Sequence, residues 1–209
     1  MVYRRTASVQ ARLDGQRAGL VAAATTQLAE QGYAGCSVAA VSRRAGVAAG
    51  TVYNHFAGKD ELVSEVFRAV VGREVAAVRD SVANATGTAS AVIAFVETFA
   101  RRALRSPRLA HALLVEPVDT TVDALRLEFR IAFRDIAAGV VRDGIAAGEL
   151  PDQNPALVAA ALVGAIGEAL VGPLGGLTDR APHTDLVPEL VAFALRSLGV
   201  LGVRHAVHA

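Results

Sequence analysis

The chain has 209 residues, of which 53% are hydrophobic and 20% are charged, and this composition excludes a disordered charged tail. Its single cysteine, Cys36, excludes an intramolecular disulfide and a cysteine-based zinc site, and it fits a reducing cytoplasm. Residues 1–60 carry a net charge of +4 and residues 61–209 a net charge of −3. This asymmetry favours a polyanionic partner for the N-terminal part alone.

Neither a signal peptide nor a membrane span is expected. Residues 1–20 contain four arginines with no apolar stretch between them. Residues 155–178 are apolar except for Glu168, but they include Pro155 and Pro173. Because a carboxylate is costly in lipid, we interpret this stretch as a helix buried between protein surfaces in a cytoplasmic protein.

The whole chain has a helical pattern. Alanine, valine, leucine and arginine are the most frequent residues, strand-like alternation is not sustained, and glycine and proline separate the helical segments. The fourth helix continues without a break from the basic part into the acidic part, so we expect it to connect them rigidly. The predicted fold class is all-α, with nine helices at 12–31, 37–45, 49–56, 59–84, 88–105, 107–115, 119–147, 153–172 and 184–203, and one long loop at 172–185.

Residues 37–56 have the pattern of two short helices joined by a tight turn. Ser37 can cap the first helix, and Gly46 can adopt the left-handed conformation that ends it. Val52 and Phe56 lie at i and i+4 of the second helix and are expected to face inward. The outer face then presents Gly50, Thr51, Asn54 and His55, with Tyr53 at its edge. A short helix of this kind fits the major groove of DNA.

The segment from Arg17 to Leu62 resembles the N-terminal domain of the TetR family of bacterial transcriptional regulators. The matching positions are Gly32-Tyr33, Ser37-Val38, Ala45-Gly46-Val47, Gly50-Thr51-Val52-Tyr53, His55-Phe56, Lys59 and Leu62. The resemblance implies a three-helix, helix-turn-helix DNA-binding domain followed by a larger helical domain for ligand binding and dimerisation. We therefore expect a flexible arm at 1–13, a DNA-binding domain at 14–74 and an effector-binding and dimerisation domain at 75–209.

The resemblance also assigns residues to DNA contact. It implies that Ser37, Tyr53, His55 and Lys59 contact phosphates or the DNA backbone, and Lys59 is the only lysine of the chain. Thr51 and Asn54 occupy positions that vary in the family and are candidates for reading bases. Asparagine can bind adenine through two hydrogen bonds, and threonine can contact the methyl group of thymine.

Two arginines extend this candidate surface, and most of its members also have a structural alternative. Arg43 and Arg44, at the end of the first helix of the motif, can reach a phosphate or a guanine edge. The alternatives are a solvated helix end for Arg43 and Arg44, packing or capping for His55, pairing with Glu30 or Asp60 for Lys59, and a core position for Tyr53. Ala48 departs from the family, which often has Ser or Thr there, and Cys36 stands where Thr is common.

The C-terminal part has no catalytic or metal-binding constellation, so no cofactor and no enzymatic activity are expected. Two pairs of phenylalanines at i and i+4 indicate an apolar cavity for a small apolar effector. The candidate lining residues are Phe95, Phe99, His111, Leu114, Leu125, Phe129, Phe133 and Glu168. The alternatives are a filled core without an effector, and a helical enzyme or carrier with Glu168 and His111 as its acid–base pair.

The last two long helices carry more apolar surface than one core of this size needs. Small residues recur along 155–172, so that another helix can approach closely, and the last helix is similarly apolar. The resemblance implies that the helices at 153–172 and 184–203 pair with their copies in a four-helix bundle. A twofold homodimer reads a palindromic operator, so a repressor released from double-stranded DNA by its effector is the expected function.

Overall fold

The computed structural model describes residues 7–176 and 186–200, and this part of the chain is helical with no strand, which confirms the predicted fold class. Every predicted helix is present within it. The helices are α1 (Ala7–Gly35), α2 (Val38–Ala45), α3 (Ala49–Tyr53), α4 (Lys59–Ala83), α5 (Thr88–Arg105), α6 (Pro107–Leu114), α7 (Thr120–Ala146), α8 (Pro155–Gly175) and α9 (Leu186–Leu198).

The helix ends differ from the prediction in a few places. Helix α1 begins at Ala7 rather than at residue 12, so residues 7–13 of the expected arm are helical. The Gln10 side chain donates to Asp14 Oδ1 at 2.8 Å, an i,i+4 bond that supports this first part of the helix. Helix α3 ends at Tyr53 instead of residue 56. The first six residues of the expected arm, most of the expected loop at 172–185 and the last residues of the ninth predicted helix lie outside the described residues.

Side-chain caps begin three of the helices. The Ser37 hydroxyl accepts from the Ala40 N–H at 3.1 Å, as the sequence predicts, and Gly46 ends α2 at a φ of 67°. Asp119 accepts from the Val122 N–H at 3.0 Å at the start of α7. Asn154 accepts from two backbone N–H groups at the start of α8. These contacts satisfy N–H groups that have no partner within the helix.

Helix α4 connects the two parts of the molecule. We call α1–α3 the head and α5–α9 the body. Apolar side chains along the 25 residues of α4 belong to one continuous hydrophobic core, which extends from Leu62 near the head to Val78 between α5 and α7. At about 1.5 Å per residue the helix is about 38 Å long. The prediction of one uninterrupted connector is therefore confirmed.

In the body, α7 packs against α4 and α8, while α9 packs mainly against α5. Helix α6 lies between α1 and α8, so it contacts the head directly.

Of the described helices, only α8 has the length and hydropathy that would let a helix cross a membrane. One such helix is weak evidence for membrane insertion, because core helices of soluble proteins have the same composition.

Gly144, near the end of α7, allows the closest approach in the body. A Cβ placed on it would lie 2.7 Å from Thr88 Cγ2 and 2.8 Å from Leu150 Cδ1. Both of those side chains are buried, so neither can move away into solvent. Gly139, on the same helix, has no such neighbour within 4 Å.

We expect Gly144→Ala to lower the free energy of unfolding by about 1–3 kcal/mol, because the added methyl group overpacks the contact with Thr88 and Leu150. The matched control Gly139→Ala should raise it by about 0.5–1 kcal/mol, since alanine favours the helix and meets no neighbour. Urea unfolding followed by circular dichroism measures both changes. A stabilising Gly144→Ala would contradict the close approach.

Candidate nucleic-acid interface and C-terminal cavity

Helix α3 has a buried face and an outer face. Val52 and Phe56 are buried in the core, as their spacing predicts. Tyr53 is 58% exposed, so the alternative of a core position does not apply to it. Asn54 is also exposed, and Thr51 is half-buried beside it. Ala48 begins the helix without a side-chain cap, so the amino end of α3 presents only backbone groups.

The two neighbouring arginines of α2 have different surroundings. Arg44 Nε donates to Gln27 Oε1 at 3.1 Å, and its guanidinium forms a two-pronged ion pair with Glu30. This binds Arg44 to α1. Arg43 is exposed, and its side chain has no ion-pair or hydrogen-bond partner among the described residues. Of the two, Arg43 is therefore the one whose charge is available to an external anion.

Arg17 holds the end of α3 in place, a role that the sequence reasoning missed. Its Nη1 donates to the His55 carbonyl at 2.9 Å, and its Nη2 pairs with Glu65 at 2.9 Å. The guanidinium carbon lies 4.4 Å from the centre of the Phe56 ring. His55 itself is half-buried, with Nε2 3.0 Å from Gln16 Oε1. Partners 38 and 48 residues away in the sequence give no local signal.

Lys59 lies at the start of α4 and contacts the end of α1. Its Nζ donates to the Tyr33 carbonyl at 2.6 Å and lies 3.7 Å from the centre of the Tyr33 ring. Among the described residues it forms no ion pair with Glu30 or Asp60, the partners considered from the sequence. Ser37, by contrast, is exposed at the start of α2.

Tyr33 also binds the head to the body. Its N–H donates to Glu116 Oε2 at 2.6 Å, and its hydroxyl donates to Asp119. The preceding Gly32 has a φ of 66°, and a Cβ there would lie 2.6 Å from Glu116 Oε1. A side chain at that position would be strained and would collide with the carboxylate. We call Gly32, Tyr33, Lys59, Glu116 and Asp119 the head–body junction.

The acid–base properties of the junction reflect these contacts. Burial first, and then the hydrogen bond to Asp119, raise the pKa of Tyr33 to about 12. Burial alone would raise the pKa of Asp119, but the bonds from Tyr33 and from backbone N–H groups outweigh it and lower that pKa. Both shifts favour a neutral phenol bound to an ionised carboxylate.

We expect Tyr33→Phe to lower the free energy of unfolding by about 1 kcal/mol near neutral pH, because it removes one hydrogen bond to a partly exposed carboxylate. The difference in stability between the wild type and Tyr33→Phe has its full size above pH 3.8, which is the ordinary pKa of the Asp119 carboxyl. It diminishes as the pH falls through the lowered pKa that this group has in the folded protein. In alkali, the wild type loses stability as the pH rises from 10.0 to about 12, chiefly because burial disfavours the phenolate, whereas Tyr33→Phe has no phenol to ionise. Urea unfolding as a function of pH measures the difference, and a gap that persists in strong acid would contradict the assignment.

Two adjoining cavities lie in the body. The first, of about 360 Å³, lies among α4, α5 and α6, and the second, of about 300 Å³, lies mainly between α7 and α8. Phe99 and Phe133 line both, with their rings edge to face and their centres 5.0 Å apart. The phenylalanine pairs of the sequence therefore supply one residue each to the shared wall.

The predicted lining residues are only partly brought together. Five of them line the second cavity: Phe99, Leu114, Phe129, Phe133 and Glu168. Phe95 and Leu125 are buried in the core outside both linings, because the turns that carry them face other helices. His111 lies in a separate polar recess beside Glu116, with Nδ1 3.5 Å from Oε1. Glu168 instead lines the second cavity, so these two described residues lie in different recesses and do not form the acid–base pair considered for an enzyme.

Arg126 connects the second cavity to the head–body junction. Its guanidinium donates to the carbonyls of Leu113 at 2.9 Å and Glu116 at 2.8 Å, and it pairs with Asp123 at 3.2 Å. Burial first, and also the charge of Arg130, lower the pKa of Arg126. Within residues 7–176 and 186–200, no group of three metal-ligating side chains is found.

The comparisons with known proteins agree with this architecture. Residues 20–66 match the family model described as bacterial regulatory proteins, tetR family. The HTH-type transcriptional repressor KstR2 of Rhodococcus jostii strain RHA1 is 28% identical over 138 residues, which cover 64% of this chain and 67% of KstR2. These relatives are transcriptional regulators and not enzymes.

Solved structures of similar fold have low sequence identity to this chain. The fatty acid degradation regulator FadR from Bacillus halodurans has a TM-score of 0.73 and 20% identity, covering 90% of this chain and 99% of its own. The regulator FadR from Bacillus subtilis, solved in complex with stearoyl-CoA, has a TM-score of 0.72, also at 20% identity and with the same coverage. At this identity the likeness shows the fold alone.

Proposed function

Because this chain belongs to the TetR family of bacterial transcriptional regulators, we propose that it is a cytoplasmic repressor that binds a palindromic operator as a homodimer. The outer face of α3 is the observation that carries the proposal. It presents the exposed Tyr53 and Asn54, while Val52 and Phe56 anchor the helix in the core. A short, firmly seated helix with a polar outer face suits the major groove.

We assign roles on this surface by exposure and by existing partners. Thr51 and Asn54 read base edges, and Ser37, Tyr53, His55 and Lys59 contact the DNA backbone. Lys59 keeps its bond to the Tyr33 carbonyl, since an ammonium group has further N–H donors for a phosphate. Arg43 binds a phosphate, whereas Arg44 holds α2 against α1 through Glu30. The DNA-binding unit spans 14–74 and the effector-binding and dimerisation unit spans 75–209.

Exposed apolar groups on α8 and α9 support a homodimer. Leu157 is 67% exposed and Phe193 is 40% exposed. Ala161 and Gly164 continue the exposed stripe of α8 and leave room for another helix to approach closely. We assign the twofold interface to the helices predicted at 153–172 and 184–203, so that the dimer carries two copies of α3.

The effector acts through the cavities and the head–body junction. A small molecule in the second cavity contacts Arg126, whose bonds to the α6–α7 turn lead to Glu116 and from there to Tyr33. A ligand that binds one arrangement of this turn more tightly shifts the head and releases the DNA. The FadR of Bacillus subtilis, solved with stearoyl-CoA, supports the idea that this fold can hold an acyl ligand.

Selection from a random pool of double-stranded oligonucleotides by the full-length protein tests the function. We expect an inverted repeat to be enriched, because a twofold dimer presents two recognition helices. Asn54→Ala should still enrich a repeat but relax the preference at one position of each half-site, by about 1–3 kcal/mol. A pool in which no duplex is enriched at low salt would contradict the proposal.

The two arginines of α2 give a second prediction. On the selected duplex, Arg43→Ala should weaken binding and reduce the slope of log affinity against log salt by about one, because one phosphate contact is lost. Arg44→Ala, the matched control, should leave that slope nearly unchanged and lower the free energy of unfolding by about 0.2–1 kcal/mol. Fluorescence anisotropy over a salt series measures the slopes. Equal slopes for Arg43→Ala and the wild type would refute the phosphate contact.

A further inference from the structure

A row of arginines lines the second cavity. Arg126, Arg130 and Arg134 lie at i, i+4 and i+8 on α7, so all three are on one face of that helix. The only acidic side chain in the same lining is Glu168, on α8. The cavity therefore has an excess of positive charge, although its remaining walls are mostly apolar.

Two of these arginines have donors that no described residue uses. Arg134 Nε is buried without a hydrogen-bond partner, and Arg130 is exposed without an ion pair among the described residues. Arg126 differs, because its guanidinium is bound to the α6–α7 turn and to Asp123. A buried N–H group without a partner destabilises the fold, so its presence at a cavity wall indicates a site for an acceptor.

The first cavity also has three arginines in its lining, Arg73, Arg102 and Arg105, and one acid, Glu74. It differs in that Arg102 forms a two-pronged ion pair with Glu74, and no described arginine of this lining has a buried N–H without a partner. The first cavity meets the second at the shared wall of Phe99 and Phe133. Apolar surface thus continues from the second cavity into the first, and the buried N–H group without a partner lies at the α7–α8 end.

Building on the proposed function, we propose that the effector is an anionic amphiphile whose carboxylate or phosphate head binds Arg130 and Arg134 and whose alkyl chain extends toward Phe99 and Phe133. An anion supplies the acceptor that Arg134 Nε lacks. Guanidinium groups bind both carboxylates and phosphates through paired hydrogen bonds. The apolar chain gains free energy by leaving water for the aromatic walls.

Calorimetric titration of the full-length protein without DNA tests the head group. The probes share a twelve-carbon chain and differ only in the head: dodecanoate, dodecyl phosphate, 1-dodecanol and dodecyltrimethylammonium. We expect the two anions to bind about tenfold or more tightly than the alcohol, since each charge-assisted bond is stronger than a neutral one. The ammonium probe should bind most weakly. Equal binding of alcohol and anions, or no binding by any probe, would overturn the proposal.

Dodecanoyl-CoA distinguishes two sources of the anion. Tighter binding than that of dodecanoate assigns the head to the phosphates of a thioester, and weaker binding assigns it to a free carboxylate. Both results support an anionic amphiphile.

Variants on α7 and α8 separate a binding role from a structural one. Arg134→Met should reduce the preference for dodecanoate over dodecanol to nearly none, while Arg134→Lys should retain part of it because the charge remains. The thermal midpoint of ligand-free Arg134→Met should not fall, because the unpartnered Nε is removed. Arg142→Met, an exposed arginine on the same helix outside both linings, should behave as the wild type.

Glu168→Gln should increase the affinity for dodecanoate, since it removes the only negative charge of the lining. If Arg134→Met keeps the full anion preference while folding normally, the assignment to Arg134 is wrong. Anion binding that does not release DNA would leave this site standing and would contradict only the effector role in the proposed function.

Discussion

The position of the head depends on the attachment of the Tyr33 region to the body. Gly32 turns the chain with a positive φ, so that the Tyr33 N–H reaches Glu116 and the hydroxyl reaches Asp119. Asp119 simultaneously caps α7, and Lys59 at the start of α4 binds the Tyr33 carbonyl. Three helices therefore meet at one tyrosine. Because the core along α4 is continuous, we expect a shift of this tyrosine to change the angle at which α3 is presented.

Some arginines of this molecule are paired with an acidic side chain, and others are not. Arg44 is neutralised by Glu30 and Arg102 by Glu74, so each of these arginines stabilises its own helix contact. Arg43 in the head and Arg134 in the body have no such partner among the described residues. These two arginines lie at the two surfaces that we propose bind anions, the DNA backbone at one end and the head group of a small molecule at the other.

The sequence was sufficient for features that depend on neighbouring residues. The Ser37 cap, the left-handed Gly46 and the inward spacing of Val52 and Phe56 are local, and the structure agrees with each. It was not sufficient for contacts between distant segments. Tyr33 and Asp119 are 86 residues apart, and nothing in either neighbourhood indicates their bond. The prediction of the cavity residues was only partly right for the same reason. Helical spacing identifies the apolar face of a helix, but the packing of other helices decides which residues of that face line a cavity.

Hydroxyl-radical footprinting of the full-length protein on its selected duplex tests whether the outer face of α3 is the surface that contacts DNA. Mass spectrometry would compare oxidation of Tyr53, which is 58% exposed, with that of Leu127, which is 54% exposed on α7. If α3 contacts the DNA, the duplex lowers the oxidation of Tyr53 several-fold and leaves that of Leu127 unchanged. Oxidation of Tyr53 that is the same with and without bound duplex would contradict it.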